Sequence, residues 1–178
     1  MPDSPTIARS RGLPPPRIVV ADDDIDIREL IAIMLRSRGF DVVVAPDGDA
    51  ALAAILSDGA DGLVSDFQMP GLDGLTLCRV LRGLGPYIAL PIVMFTGIGV
   101  ADPRLLPLRD MNELRILHKP MGLREIGPAL TDMIPTTVSG FGVGIRADVG
   151  APGMSAATIS PAFPFPGVAA NVTTLVTS

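Results

Sequence analysis

The sequence predicts an α/β fold, a doubly wound, five-stranded parallel sheet flanked by five helices, and three observations predict it. Short β-branched or aliphatic runs alternate along the chain with segments whose apolar residues recur at helical spacing. The runs are apolar at consecutive positions, as strands covered on both faces require. Four of them stop at polar residues: Asp22-Asp23, Asp66, Thr96 and Lys119. In an open parallel sheet the C-terminal strand ends share one rim, and ligands bind there.

Taken in order, residues 1–16 form a Pro-rich leader ending in Leu13-Pro14-Pro15-Pro16, read as flexible or polyproline-like. The folded unit spans 17–134. Its first strand is Arg17-Ile18-Val19-Val20-Ala21, stopped by Asp22-Asp23-Asp24. A helix follows from Asp26 to Arg38, with Ile27, Leu30, Ile31, Met34 and Leu35 as its apolar stripe, Asp24 or Asp26 as cap and Gly39 as stop. Asp41–Ala45 is the second strand, and Asp47–Leu56 the second helix, closed at Asp58-Gly59. The third strand begins at Gly62-Leu63-Val64 and runs to Asp66, where Met69-Pro70-Gly71 turns the chain into a helix through Leu75, Leu77, Cys78, Val80 and Leu81. Leu90–Phe95 is the fourth strand, ending at Thr96-Gly97. A fourth helix is expected over 102–114, with Asp102 as cap, Pro103 at its first position and Pro107 kinking or shortening it. Arg115–His118 is the fifth strand, ended by Lys119-Pro120, and a last helix over 122–134 is interrupted by Gly127-Pro128.

The tail over 135–178 is low in complexity. It consists mostly of Gly, Pro, Ala, Ser, Thr and Val with two charges, Arg146 and Asp148, and is expected to be disordered. It is less charged than ordinary disorder, which leaves a remnant or altered-frame segment as a second reading. Asn171-Val172-Thr173 matches a glycosylation sequon by chance in a chain without a secretory signal.

Composition narrows the function classes. With 178 residues the chain holds one ordinary domain plus tails. A net charge of −5 provides no basic field for nucleic acid, so no direct DNA binding is expected. The single cysteine, Cys78, excludes an internal disulfide and reads as a core residue. Met34 and Met94 likewise fit core positions. No apolar run is long enough to span a bilayer, and the expected location is cytoplasmic.

Each rim residue alone has a plain structural reading: Asp66 as a turn or cap, Lys119 as an ion-pair partner, Thr96 as a turn cap. Together they point to chemistry. Two or three converging carboxylates raise one another's pKa unless a cation intervenes, and oxygen ligands without His or Cys suit Mg²⁺. With a divalent ion bound, a carboxylate can attack phosphorus and form an acyl phosphate. Lys119 and the Thr96 hydroxyl are suited to the equatorial oxygens of a phosphoryl group. His118, beside Lys119, reads as an ordinary strand-end residue rather than a phosphodonor.

The acidic pair Asp22-Asp23, the motif Asp-x-x-Met-Pro-x-x-Asp-Gly from Asp66 to Gly74, Thr96-Gly97 and Lys119-Pro120 occur in one order, and over 17–134 the chain resembles the receiver domains of two-component response regulators. The resemblance, to the single-domain type, implies a flavodoxin-like fold and Asp66 as phosphoacceptor. It implies Mg²⁺ held directly by Asp23, Asp66 and the backbone carbonyl of Gln68, with Asp22 acting largely through water. It implies that Lys119 holds the phosphoryl group, that the Lys119–Pro120 bond is cis, and that Thr96 swings in on phosphorylation. The implied partners are a histidine kinase or phosphotransfer protein, docking around Ile27, Arg28 and Ile31, and an unidentified downstream partner. Such a domain catalyses only its own phosphorylation and dephosphorylation. Gln68 and Ile98 stand where the family tunes phosphoryl lifetime. One departure is Ile116, an aliphatic where the family's fifth strand carries an aromatic that moves inward after Thr96.

Two other functions compete. A pseudo-receiver acting only as a binding scaffold is favoured by Ile116 but opposed by the intact Asp pair, Asp66, Thr96 and Lys119. A haloacid-dehalogenase-like phosphatase is suggested by the Asp-x-Asp in Asp22-Asp23-Asp24, but the motif after strand three and the Lys119-Pro120 pair argue against it. Pro107 and Pro128 fall on the helices that many regulators use to dimerise, so a monomer or weak dimer is expected. Sedimentation with and without a phosphoryl mimic tests this: a tight mimic-driven dimer would refute it.

Overall fold

The computed structural model describes residues 14–134. The leader before Pro14 and the tail over 135–178 lie outside the described residues. Five strands, β1 (Arg17–Ala21), β2 (Asp41–Ala45), β3 (Gly62–Ser65), β4 (Ile92–Thr96) and β5 (Leu114–His118), form one sheet in the order β2-β1-β3-β4-β5. Every pairing is parallel. The connecting helices are α1 (Ile25–Ser37), α2 (Gly48–Asp58), α3 (Gly74–Gly83), α4 (Leu106–Arg109) and α5 (Ile126–Met133).

The apolar runs form strands because alternate side chains feed two cores. Val19, Ala21, Leu63, Ile92 and Met94 pack against Ala51 and Ile55 of α2, Leu77, Cys78 and Leu81 of α3, and Leu108 of α4. Ile18, Val20, Val64, Val93 and Phe95 face the other way, onto Ile31, Ala32 and Leu35 of α1 and Ile126, Ala129 and Leu130 of α5. Cys78 is fully buried, and burial pushes its thiol up to about 12, which makes it an inert core residue. Met94 is buried, whereas Met34 is only half-buried.

Helix starts follow local chemistry. Asp24 caps α1, its carboxylate accepting from the N–H groups of Asp26 and Ile27, while Asp26 sits in the first turn. Asp47 caps α2 and Asp73 caps α3 in the same manner. Gly39 stops α1 at φ 95°. In α1 the stripe is narrower than its spacing suggests. Leu30 is exposed, as are Ile25 and Ile33, and Ala32 takes a core place.

The helices that carry proline differ most from expectation. The segment expected as one helix over 102–114 is a 3-10 turn at Pro103–Leu105 followed by the four-residue α4. Asp102 and Pro103 hold their expected cap and first positions. Pro107 lacks an N–H and its ring crowds the carbonyl four residues back, so the turn before it tightens. Glu113, at φ 51°, then reverses the chain into β5 one residue earlier than expected. The last helix begins as a 3-10 segment, Met121–Glu125, and becomes α-helical at Ile126, placing Pro128 in the first α-helical turn. β4 begins at Ile92 rather than Leu90.

Gly74 fixes how α3 meets β3. Its N–H donates to the Phe67 carbonyl at 3.1 Å. A Cβ at this position would collide with the Asp66 carbonyl oxygen and press on the Phe67 Cα. Gly74→Ala must therefore move the backbone that carries Asp66. We expect a loss of about 2 kcal/mol, typical of overpacking, in urea unfolding. An unchanged midpoint would show that the contact relaxes freely.

Candidate functional site

The strand ends converge as the topology requires. Asp22 follows β1 and Asp66 follows β3, its immediate neighbour in the sheet. Ligand oxygens of Asp22, Asp23 and Asp66 lie within 4.8 Å of one another. Asp22 is buried, Asp66 half-buried and Asp23 exposed. Lys119, just beyond β5, places its Nζ 2.7 Å from Asp22 Oδ2 and 3.2 Å from Asp66 Oδ2. The ammonium also lies 5.7 Å from the centroid of the Phe95 ring, within cation–π range.

The remaining carboxylate oxygens are held locally. Asp22 Oδ1 accepts from the Asp24 N–H at 3.0 Å, and Asp66 Oδ1 accepts from the Phe67 N–H at 2.6 Å. Burial pushes the Asp22 carboxyl above its ordinary value, outweighing the hydrogen bond and charge of Lys119 and the Asp24 N–H. Burial alone would lower Lys119, but its hydrogen bond to Asp22 and the charges of Asp66 and Asp22 prevail and raise it. Lys119 therefore stays cationic. Three carboxylates facing one ammonium leave an excess of negative charge, which fits a hard divalent cation. The Gln68 carbonyl accepts no hydrogen bond among the described residues and so is free to act as an oxygen ligand.

Thr96 is present but set deeper. It is fully buried at the end of β4, where its Oγ1 accepts from the Ile98 N–H at 3.1 Å. Its carbonyl accepts from the Lys119 N–H at 2.8 Å, tying the β4 and β5 ends together. The Lys119–Pro120 peptide bond is cis. An open groove of about 580 Å³ adjoins the site, lined by residues including Gln68, Met69, Asp73 and Arg104 but not by the acidic triad.

Residues 18–131 match the family model for the response regulator receiver domain. The chain belongs to this family. It is 43% identical over 110 residues to response regulator MprA of Mycobacterium tuberculosis, an alignment covering 62% of this chain and 46% of that protein. It is 38% identical over 130 residues to the MprA of Mycolicibacterium vanbaalenii, covering 73% and 55%. The chain thus spans about half the length of these relatives. Among solved structures, the receiver domain of Francisella response regulator 1452 superposes with a TM-score of 0.60 at 29% identity, covering 67% of this chain and 96% of that one. The Vibrio cholerae chemotaxis protein CheY4 gives 0.60 at 25% identity, covering 67% and 98%. Receiver domains are phosphoacceptor components of two-component signalling rather than classical enzymes, and the family uses Mg²⁺ at an acidic site. No helix among the described residues is long and apolar enough to cross a membrane.

Against this receiver fold, two residues near the site gain roles their sequence positions did not suggest. Arg28 is half-buried and turned inward, its Nη1 donating to the Asp22 carbonyl at 2.5 Å. Its position one turn after the Asp24 cap was the available signal. Ser65 is fully buried and its hydroxyl donates to the Asp66 carbonyl at 2.8 Å. Ile31, placed by the resemblance on a docking face, is 1% exposed and belongs to the core. Ile27 and Arg28, named with it, are half-buried, and Ile25, Leu30 and Ile33 are the exposed large apolar residues of α1.

The raised Asp22 carboxyl sets a pH dependence. A carboxyl raised on folding contributes most to stability below its ordinary value of 3.8, and the contribution fades as pH rises through the elevated folded value. In metal-free protein, Asp22→Asn should flatten the fall in urea-unfolding free energy across that window. Parallel profiles for parent and variant would show that burial does not govern Asp22.

Proposed function

We propose that this receiver domain takes a phosphoryl group onto Asp66 from a histidine kinase or phosphotransfer protein, with Mg²⁺, and switches conformation for partner binding. The observation that carries the reading is the Asp66 carboxylate poised between the Phe67 N–H and Lys119, with Asp22 and Asp23 beside it. Asp22, Asp23, Asp66 and the Gln68 carbonyl would hold the ion. When bound, Mg²⁺ supplies charge neutralisation at the transferring phosphoryl oxygens.

This chain's own residues do the rest. One Asp66 oxygen attacks phosphorus as the P–N bond of the phosphohistidine breaks. The electron pair leaves with the imidazole, which takes up a proton, and an acyl phosphate forms. Lys119 stays protonated and moves from pairing with carboxylate to holding a phosphoryl oxygen. Thr96 offers its hydroxyl proton to another oxygen of the same group. The domain acts as a monomer or weak dimer, and its turnover is confined to its own phosphorylation and dephosphorylation.

Phos-tag electrophoresis after acetyl phosphate and Mg²⁺ tests this reading. The parent should give a retarded band that is absent from Asp66→Asn and after chelation. Lys119→Met should slow its formation by about 10- to 100-fold, the loss of one charge-assisted hydrogen bond. A folded parent that yields no band with acetyl phosphate or with a phosphorylated kinase would support the scaffold reading instead.

A further inference from the structure

We propose that His118 is a positioning residue for Thr96, acting through the backbone of Ile98; this rests on the phosphoacceptor reading of Asp66. His118 Nδ1 lies 2.9 Å from the Ile98 carbonyl oxygen. A carbonyl has no proton to give, so Nδ1 carries the hydrogen and donates it. The N–H of the same residue, Ile98, donates to Thr96 Oγ1 at 3.1 Å. His118 and Thr96 are therefore joined through one residue that is pinned at both its N–H and its carbonyl.

The connection matters because it is the hold nearest to Thr96: the other hydrogen bonds on this segment fall further along, from the Asp102 N–H to the Gly99 carbonyl and from Arg109 to the Val100 carbonyl. Ile98 anchors the segment with a buried side chain, but Gly97 and Gly99 on either side are exposed and bring no side chains of their own. An added Cβ at either glycine would meet nothing within 4 Å. Without the His118 bond, the Ile98 N–H can turn away from Thr96.

The direction of the hydrogen bond at Thr96 gives the arrangement its chemical sense. A hydroxyl has one proton and two lone pairs. With the Ile98 amide occupying a lone pair, the Thr96 proton remains to be donated, and a phosphoryl oxygen on Asp66 needs a donor. His118 and Lys119 thus act from consecutive residues of the same strand end, Lys119 on the acidic group and His118 on the loop that orients Thr96. Thr96 and His118 are also register partners across β4 and β5. Ile116, on the same strand, has no polar atom with which to do this.

The competing reading is that His118 only closes a turn, and a double-mutant cycle separates the two. The rate of acetyl-phosphate-driven phosphorylation is measured in the parent, His118→Leu, Thr96→Ala and the double variant. His118→Leu should slow the parent by about 2- to 10-fold, the net worth of one hydrogen bond, and should cause no further loss once Thr96 is Ala. His118→Asn, whose amide can donate in place of Nδ1, should recover most of the rate. A phosphorylated parent in which His118→Leu costs the same in both backgrounds overturns this inference alone. Absence of any Asp66-dependent phosphorylation in the parent overturns the phosphoacceptor reading and this inference with it. A second readout needs no activity. The chain has one histidine, so its imidazole ¹⁵N signals are unambiguous. The neutral ring should show protonated Nδ1, and the Nε2–H tautomer overturns the proposal.

Discussion

The ammonium of Lys119 between Asp22 and Asp66 is the interaction on which the rest of the site depends. The two carboxylates arrive on adjacent central strands, whereas Lys119 comes from the edge strand β5, with β4 and β3 lying between β5 and β1. Neighbouring strands are about 4.8 Å apart, so no side chain standing perpendicular to the sheet would make that crossing. The chain must leave β5 and lean back over the rim, and the side chain passes near the Phe95 ring on the way. The Lys119 N–H to Thr96 carbonyl bond anchors the start of that excursion. One cation thereby joins the ends of β1, β3 and β5.

The neutralisation is incomplete, and the incompleteness is useful. A fully compensated cluster would have little affinity for a further cation or a phosphoryl group. Here burial raises the Asp22 carboxyl despite its lysine partner, so added positive charge at the cluster would be favoured. The local N–H donors of Asp24 and Phe67 keep the carboxylates aimed while they wait. Gly74 and Arg28 hold the backbone of the two strand ends from behind, one by lacking a side chain and one by donating to the Asp22 carbonyl.

Most of the fold was legible because its signals are local. Runs such as Arg17–Ala21 and Asp41–Ala45 match their strands residue for residue, since β-branched runs bounded by turn residues have few alternatives. Asp22, Asp23, Asp66 and Lys119 converge because a parallel sheet leaves strand ends no other rim. What was less legible involves competition between signals. Asp102-Pro103 announced a helix start correctly, but Pro107 limited it to four α-helical residues after a 3-10 turn. Helical spacing placed Leu30 on the buried stripe, yet the width of the α1 contact with the sheet leaves it outside. Arg28, Ser65 and His118 make their contacts with backbone carbonyls, which residue type and spacing do not encode.

The edge position of β5 explains why polar tethers collect there. β4 is buried along its whole length, whereas β5 is half-buried or exposed throughout. An edge strand with one neighbour and a thin apolar cover is held less firmly by packing, so the polar contacts at its C-terminal end weigh more in fixing its position. Those contacts are the Lys119 ion pairs, the Lys119 N–H to Thr96 bond and the His118 bond to Ile98. Each of them ends on a group at the rim or on the Ile98 segment that follows Thr96. A change of charge at Asp66 that redirected Lys119 would therefore alter the forces on the strand of the sheet least covered by packing.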